Sequence, residues 1–331
     1  MNYLQKNGVI CSILLIACSV SSAQTVLRFG HTDQAAGARD AAASFFARSV
    51  EQLTQGRYVV EVLCCGKAGN DPKSIERLIG GDLDFTVSAT GSYAAHVPTL
   101  NLSMLPFLVD NYAQGWKLYD ESPWMQAQFA KAPAKGFRFL ATWEAGFRNM
   151  TTKEPLNSPD DARGQKLRTF PNEMMRWTLE AIGFNIQIMP LPEVYQAIKQ
   201  GVVSGQENPI DTIYSNKFYE VAPHVTLTNH VYSPLPLTVS EKTWQRMSAQ
   251  DQRAVAEAAS RTASFSRIHV VGNDDIQLKS MEKLGAKIQR SPNTAAFRAA
   301  SQVVYTKARE KYGADVDQLL EQAKNVRKKY R

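Results

Sequence analysis

The chain has 331 residues, enough for two domains of ordinary size, and its hydrophobic content of 44% is typical of a globular protein. Its formal net charge of +7 comes from basic residues scattered along the chain, without the aromatic and basic stripe of a nucleic-acid-binding surface. Composition therefore argues against a low-complexity chain and against nucleic acid as a partner, while a mild positive surplus suits an anionic ligand.

The first 23 residues have the pattern of a signal peptide. Lys6 precedes an apolar run, 9–20, that is shorter than the ~20 residues of a membrane-spanning helix, and small residues at 21–23 favour cleavage before Gln24. We therefore expect an exported, periplasmic protein. Two alternatives stay open: an uncleaved anchor, and a lipoprotein in which the run Leu-Ile-Ala-Cys carries a lipid on Cys18.

Strands and helices alternate in the first part of the remaining chain. Apolar and β-branched runs predict strands at 26–30, 58–63 and 83–87, and helical periodicity predicts helices at 35–53 and 71–79. This β-α-β-α-β order is typical of a parallel sheet covered by helices.

A second α/β set follows. Strands are predicted at 137–141, 163–168 and 186–189, with helices at 173–182 and 191–201. An alanine-rich segment then predicts one or two long helices over 249–283. The predicted fold class is α/β, with two lobes joined by extended segments and a long helix, an architecture that closes around small ligands.

Motifs of common catalytic and cofactor sites are absent from the sequence. It has no nucleophile elbow, zinc-protease motif, phosphate-binding loop or dinucleotide fingerprint, and its five histidines are isolated. We therefore predict no cofactor and no metal. Cys64 and Cys65 are adjacent, with Cα atoms only ~3.8 Å apart, so they form either a strained vicinal disulfide or two buried thiols in a strand.

Polar residues recur at strand ends and loops of the second α/β set, in the segments EAGFRN (144–149), KLRTFPN (166–172) and GVVSGQENP (201–209). Together with PDDARGQKLR (159–168), EVYQAI (193–198) and KFYEV (217–221), these segments resemble the substrate-binding proteins of tripartite ATP-independent periplasmic (TRAP) transporters. The resemblance covers essentially all of the chain after the signal peptide.

The resemblance implies a carboxylate site. In that family the arginine of the K-L-R element binds the substrate carboxylate with two parallel hydrogen bonds, which here is Arg168. The arginine of G-F-R and the asparagine of Q-E-N-P add contacts to the same anion, which here are Arg148 and Asn208. The alternative for Arg168 is a salt bridge that stabilises its own lobe, the candidate partners being Asp160, Asp161 and Glu193.

Further ligand contacts are expected around this anion site. Thr32 and Asp71 occupy loop positions from which the first lobe touches ligands in the family. Phe170 and Asn172 lie at a turn where the sequence departs from many relatives. Trp143 belongs to an aromatic concentration near the arginines that lines the cleft or, alternatively, forms lobe core.

The family resemblance implies a periplasmic binding protein fold, with lobe I at 24–145 plus 234–273 and lobe II at 146–233 plus 274–331. It implies a monomeric receptor that delivers a small organic acid to TRAP membrane subunits and performs no chemistry. We expect a 2-hydroxy or 2-oxo monocarboxylate with an apolar or aromatic body. The alternatives are a uronate or aldonate receptor of the same family, a sensor domain, and a periplasmic enzyme using Asp71 or Glu207 as general base.

Overall fold

A computed structural model describes residues 24–330. The predicted signal peptide, including Cys18, lies outside these residues. Within them, none of the helices combines the length and apolar character needed to cross a membrane.

Eleven strands form two sheets in the described part of the chain. They are β1 (Thr25–Gly30), β2 (Tyr58–Leu63), β3 (Phe85–Val87), β4 (Phe137–Trp143), β5 (Phe147–Thr152), β6 (Lys166–Thr169), β7 (Asn185–Ile188), β8 (Gly205–Pro209), β9 (His224–Tyr232), β10 (Leu235–Ser240) and β11 (Lys287–Gln289).

The same residues contain thirteen α-helices and five short 3-10 segments. The helices are α1 (Ala38–Leu53), α2 (Asp71–Gly80), α3 (Tyr112–Glu121), α4 (Pro123–Phe129), α5 (Glu173–Ile182), α6 (Val194–Lys199), α7 (Ile210–Ser215), α8 (Phe218–Val221), α9 (Glu241–Arg246), α10 (Ala249–Lys283), α11 (Thr294–Ala300), α12 (Gln302–Tyr312) and α13 (Ala314–Lys329). The 3-10 segments are Thr90–Ala95, Pro98–Met104, Pro133–Lys135, Pro159–Ala162 and Leu191–Glu193.

The first sheet has the strand order β2-β1-β3-β10-β4. Strands β2, β1 and β3 run parallel, as the β-α-β-α-β pattern predicts. Strand β10 is antiparallel to both β3 and β4, so the sheet is mixed rather than fully parallel. This follows from the chain connectivity. The chain leaves the sheet after β4 and returns to it only in β10, which lies between β3 and β4.

The second sheet has the order β11-β9-β5-β8-β6-β7. Three residues join β4 to β5, two residues join β9 back to β10, and the single long helix α10 contacts elements of both sheets. We call the parts built on the first and second sheets lobe I and lobe II. The strands of the first sheet lie in 24–145 and 234–273, and those of the second sheet in 146–233 and 274–331; the lobe boundaries themselves remain a prediction.

The packing of the C-terminal helices is less simple than those boundaries imply. Helix α12 packs against α5 of lobe II, whereas α13 packs against α3 and α4, which precede β4. One hydrophobic cluster accordingly runs through residues of both ranges, from Leu100 and Tyr119 to Met174 and Leu319. The C-terminal helices therefore stabilise both sides of the lobe boundary.

Candidate functional site

Two adjacent cavities lie between the lobes, at the loops that follow the strands. The outer chamber has a volume of about 180 Å³ and the inner chamber about 30 Å³. They share five lining residues, Thr32, Asp71, Arg168, Phe170 and Leu191. Four of these five are residues that the sequence predicts as ligand contacts.

Sheet register brings the three predicted anion-binding residues together. Strand β8 lies between β5 and β6, antiparallel to the first and parallel to the second. Arg148 at the start of β5 pairs with Pro209, next to Asn208, and Arg168 near the end of β6 pairs with Gln206. The three side chains consequently line the same inner chamber, although 60 positions separate Arg148 from Asn208.

Arg148 is neutralised by a partner within lobe II. Its Nε and Nη2 both donate to the Glu207 carboxylate, Nη2 also donates to Asn208 Oδ1 at 3.1 Å, and Nη1 donates to Ser233 Oγ at 3.3 Å. Thr169 Oγ1 donates to Glu207 Oε1 at 2.6 Å. Burial by itself raises the pKa of Glu207, but the Arg148 charge and hydrogen bonds from His230 and Arg148 outweigh it and lower the pKa to about 2. Such a carboxylate is a weak base.

Arg168 has a different environment. Only 2% of it is exposed, and its Nε and Nη2 donate to the Met189 carbonyl oxygen at 2.9 and 2.7 Å. Among residues 24–330 no acidic side chain lies within 4.0 Å of its guanidinium. Burial lowers the pKa of Arg168 to about 10, partly opposed by the Glu207 charge, so the group remains charged at neutral pH.

The predicted structural alternative for Arg168 is therefore not realised in the described residues. Asp160 pairs with Arg163, and Asp161 accepts hydrogen bonds from the backbone of Asn157 and Ser158. A buried charge without an ion-pair partner is unfavourable in a protein interior. Within the described residues, the charge of this guanidinium is not balanced by an adjacent carboxylate.

Lobe I contributes Thr32, Asp71 and Arg39 to the site, and the sequence predicted the first two but not Arg39. Thr32 Oγ1 donates to Asp71 Oδ1 at 3.0 Å, and Arg39 Nη1 donates to Thr32 Oγ1 at 3.0 Å. Arg39 also lies 3.1 Å from Asp33 and lines the inner chamber. The sequence carried one signal for Arg39: a basic residue in the first turn of α1, where the helix dipole disfavours positive charge.

Two of the predicted ligand contacts, Trp143 and Asn172, do not line either chamber. Trp143 is 1% exposed and packs in the core of lobe I, with ring centroids 5.7 Å from Phe29 and 6.4 Å from Phe46, and it lines neither chamber. Its position at the end of β4 turns the side chain towards that core. The lobe-core alternative is the one that applies to Trp143.

Asn172 also serves another purpose. Its Oδ1 caps α5 by accepting from Met175 N at 3.0 Å, and its Nδ2 donates to Gly91 O at 3.2 Å and Asn101 Oδ1 at 2.9 Å. It lines neither of the two chambers. Asn172 therefore connects α5 to the 90–104 region through its side-chain amide.

The adjacent cysteines are joined as a vicinal disulfide. They lie in a half-buried turn after β2 rather than in a strand, and Cys65 has a positive φ of 63°. The backbone N–H of Cys65 donates to Asp33 O, and that of Gly66 donates to His31 O. The turn thereby contacts the loop that carries Thr32.

Comparison with known proteins identifies the family. Residues 29–311 match the family described as bacterial extracellular solute-binding protein, family 7. A solute-binding protein of Verminephrobacter eiseniae is 31% identical over 296 residues, which cover 89% of this chain and 88% of that protein.

Solved structures agree with this assignment. The sugar acid binding protein of Advenella mimigardefordensis in complex with galactonate has a TM-score of 0.88 at 30% identity, over 92% of this chain and 99% of that one. A TRAP periplasmic solute-binding protein of Bordetella bronchiseptica, with density assigned to pantoate, has a TM-score of 0.85 at 28% identity, over 92% and 99%. Both share the two-lobed architecture described above. The chain therefore belongs to family 7 of the bacterial extracellular solute-binding proteins, the extracytoplasmic receptors of TRAP transporters, which bind organic acids and are not enzymes.

Proposed function

We propose that this TRAP receptor binds a small monocarboxylate between its lobes and that Arg168 anchors the carboxylate. The observation that carries the proposal is the buried, charged guanidinium of Arg168, which has no acidic partner anywhere in the described range 24–330. A planar guanidinium matches two carboxylate oxygens with two parallel hydrogen bonds, and exclusion of water strengthens them.

The inner chamber suits the carboxylate itself. At about 30 Å³ the inner chamber is much smaller than the outer chamber of about 180 Å³, which suits a compact anionic head group. Arg168 provides the net positive charge there, since Glu207 neutralises Arg148. Additional polar contacts come from Arg148 Nη1 and from the amide of Asn208. Among the described residues, Arg148 Nη1 has a single protein acceptor, Ser233 Oγ.

The outer chamber suits the body of the acid. Much of its lining is apolar, namely Pro72, Phe170, Pro171, Ile188, Met189, Pro190 and Leu191. Thr32, Asn70, Asp71 and Ser92 add polar groups on one side. Asp71 repels a second carboxylate and accepts a hydrogen bond from a hydroxyl, which favours a 2-hydroxy monocarboxylate with an apolar body.

A sugar acid is the second candidate ligand, because the four polar residues of the outer chamber are all suited to hydroxyl groups. The Advenella relative in complex with galactonate supports this candidate, and the Bordetella relative with pantoate, a branched hydroxy acid, supports the first. The two candidate ligands differ in the number of hydroxyl groups that the outer chamber would have to bind.

Thermal unfolding with a panel of acids tests the proposal. The panel consists of pantoate, mandelate, 2-oxoisovalerate, D-galactonate and succinate, with the amide of pantoate as an uncharged control. A bound acid at 100 times its Kd stabilises the protein by about 2.7 kcal/mol through mass action. We expect the largest stabilisation from a monocarboxylate and none from the amide. Equal stabilisation by the amide, or by succinate, would contradict a single-carboxylate anchor.

The same samples test the enzyme alternative. Mass spectrometry after prolonged incubation should recover the bound acid unchanged. Glu207 is engaged by Arg148 and Thr169 and is a weak base, which leaves Asp71, bonded to Thr32 through one oxygen, as the carboxylate that this measurement tests. Conversion of any acid in the panel would contradict a pure receptor.

We further propose that the mature protein begins at Gln24, works as a periplasmic monomer and delivers its ligand to TRAP membrane subunits. The intact mass of the secreted protein distinguishes cleavage before Gln24 from lipidation at Cys18. Light scattering on the purified protein measures the oligomeric state.

A further inference from the structure

Helix α1 of lobe I has an unusual N-terminus. Its N-cap is Gly37, which has no side chain to accept a hydrogen bond from the free N–H groups of the first turn. The backbone N–H of Ala38 donates instead to Asp211 Oδ2 at 2.9 Å, 173 positions away in the sequence. The cap of this helix is therefore supplied by another part of the chain.

The capping residue belongs to lobe II. Asp211 lies in α7, which follows β8 directly, whereas α1 follows β1 of the first sheet. Asp211 is 6% exposed, and its other oxygen accepts from Gln277 Nε2 at 2.8 Å. Gln277 lies in the part of α10 that we assign to lobe II, so this second contact does not cross the cleft. The hydrogen bond from Ala38 to Asp211, in contrast, crosses the cleft.

Gly37 lies in a tight steric environment at the same contact. Its φ of −72° is accessible to any residue, so backbone conformation does not require glycine there. A Cβ on Gly37 would lie 3.3 Å from Cβ and Oγ of Ser215 in α7 and 3.3 Å from the Gln34 carbonyl oxygen, so a side chain there would displace its neighbours by a few tenths of an ångström. The absence of a side chain lets α7 approach the end of α1.

This contact adjoins the ligand chambers on both sides. Arg39, in the first turn of α1, donates to Thr32 and lines the inner chamber. Thr212, next to Asp211, lines the same chamber. The bond between Asp211 and Ala38 therefore orients the lobe I and lobe II walls of the site relative to each other.

We propose that Asp211 is a closure latch: a positioning residue that caps α1 across the cleft when the lobes close, and that raises ligand affinity without touching the ligand. The inference rests on the proposed function in one respect, that the ligand is bound between the lobes. When the lobes separate, water hydrates the Ala38 N–H and the Asp211 carboxylate, and neither lobe loses an internal contact. Removing an N-cap acceptor typically weakens the capped state roughly fivefold, so the closing equilibrium should change by about that factor.

A cross-linking assay tests the latch without any ligand. Gly37→Cys combined with Ser215→Cys brings two sulfurs near disulfide reach, because a Cβ on Gly37 would lie 3.3 Å from Ser215 Cβ and disulfide-bonded Cβ atoms lie ~3.5–4.5 Å apart. The small displacement that the bond requires is common to every variant compared, so it cancels in the ratio of oxidation rates. The rate at which this pair oxidises in the ligand-free protein then reports how often the lobes close. Adding Asp211→Ala should slow oxidation roughly fivefold, and Asp211→Asn, which keeps an acceptor oxygen, should restore most of the rate.

Asp161→Ala is the matched control. Asp161 also accepts backbone hydrogen bonds, from Asn157 and Ser158, but entirely within lobe II and on the surface. It should lower the melting temperature of the ligand-free protein and leave the cross-linking rate unchanged. Asp211→Ala should slow cross-linking, and it also removes the hydrogen bond from Gln277 within lobe II. Gln277→Leu, which removes that bond alone, is therefore a second control and should leave the cross-linking rate unchanged. A cross-linking rate unaffected by Asp211→Ala, or slowed equally by Gln277→Leu, would overturn the latch.

Calorimetric titration with pantoate and with D-galactonate, in otherwise wild-type protein, completes the test. Asp211→Ala should weaken binding of whichever acid binds by the same factor as the cross-linking rate, and Gly37→Ala should weaken it through the clash with Ser215. Unchanged affinity in both variants contradicts the latch. If neither acid binds, the ligand assignment fails, and the ligand-free cross-linking rates still decide the latch.

Discussion

Replacing Arg168 is the sharpest test of how this receptor holds its ligand. Of the five N–H donors of a guanidinium, two are used on the Met189 carbonyl oxygen, which leaves Nη1 and one N–H of Nη2 for a carboxylate. Arg168→Lys keeps the charge but replaces two directed bonds by one point contact. Arg168→Ala removes the charge as well, leaving the bound anion with Arg148, already neutralised by Glu207, and Asn208.

The expected magnitude follows from this geometry. Breaking one side of a buried, hydrogen-bonded charge pair costs about 2–5 kcal/mol, which corresponds to an increase in Kd of about 30-fold to several thousand-fold. Arg168→Lys should fall between wild type and Arg168→Ala. Isothermal titration calorimetry with the acid that stabilises the protein most measures all three. Arg163→Ala, an exposed arginine of the same segment paired only with Asp160, is the control and should bind normally.

Ligand-free stability provides the refuting measurement. Because Arg168 is buried without an acidic partner in residues 24–330, its charge does not stabilise the ligand-free fold. The melting temperature of ligand-free Arg168→Ala should therefore change by less than about 3 °C. A variant that is strongly destabilised without ligand yet binds with normal affinity would show that Arg168 has a structural role, and the anchor assignment would be wrong.

Four further predictions concern Arg148, Asp71, Glu144 and the closure of the two lobes. Arg148→Ala leaves Glu207 buried and without its ion pair, so the ligand-free protein should lose about 3–5 kcal/mol of unfolding free energy in denaturant titrations, in contrast to Arg168→Ala. Asp71→Asn removes the charge that opposes a second carboxylate and should improve succinate binding, measured by calorimetry, relative to monocarboxylates. Burial raises the pKa of Glu144 from 4.5 to about 7, so the folded state holds a proton that the unfolded chain releases as pH rises from 4.5 to 7. The stability of wild type relative to Glu144→Gln should accordingly fall by about 3 kcal/mol between pH 4 and pH 8, and a pH-independent difference would contradict this. Small-angle scattering should show a smaller radius of gyration at saturating ligand, and no contraction would indicate a rigid cleft.

Much of the architecture could be predicted from local patterns. Strand and helix periodicity located β1, β2, α2, α5 and the long α10 to within a few residues, because each has an apolar stripe or run that ends at a glycine, proline or polar cap. The order of these elements implied two α/β lobes. The antiparallel insertion of β10 between β3 and β4 was not predictable in this way, because it depends on pairing between strands separated by about 100 to 150 residues.

For the ligand site, too, the sequence predicted some residues and only the fold revealed the others. Ordered motifs around Arg148, Arg168 and Asn208 predicted that these residues share one site, and sheet register places them on one chamber. Composition left two alternatives open for Trp143, because an aromatic residue at the end of a strand has the same sequence pattern whether it faces a cleft or a core, and only the fold shows it packed in the core. Arg39 was missed because its role depends on Thr32 and Asp71, which reach it only in the folded lobe.

The sequence by itself predicted an export signal and determined the α/β class and the kind of receptor, since these are encoded in runs and motifs of neighbouring residues. Only the tertiary structure decided which arginine of the inner chamber is without an acidic partner among the described residues. Three arginines line the inner chamber; Arg148 is neutralised by Glu207, Arg39 lies against Asp33, and Arg168 has only a carbonyl oxygen as its protein partner within the described chain. The distinction depends on distances of a few ångströms between side chains from different strands and helices, because the strength of an ion pair is set by separation and burial rather than by position along the chain.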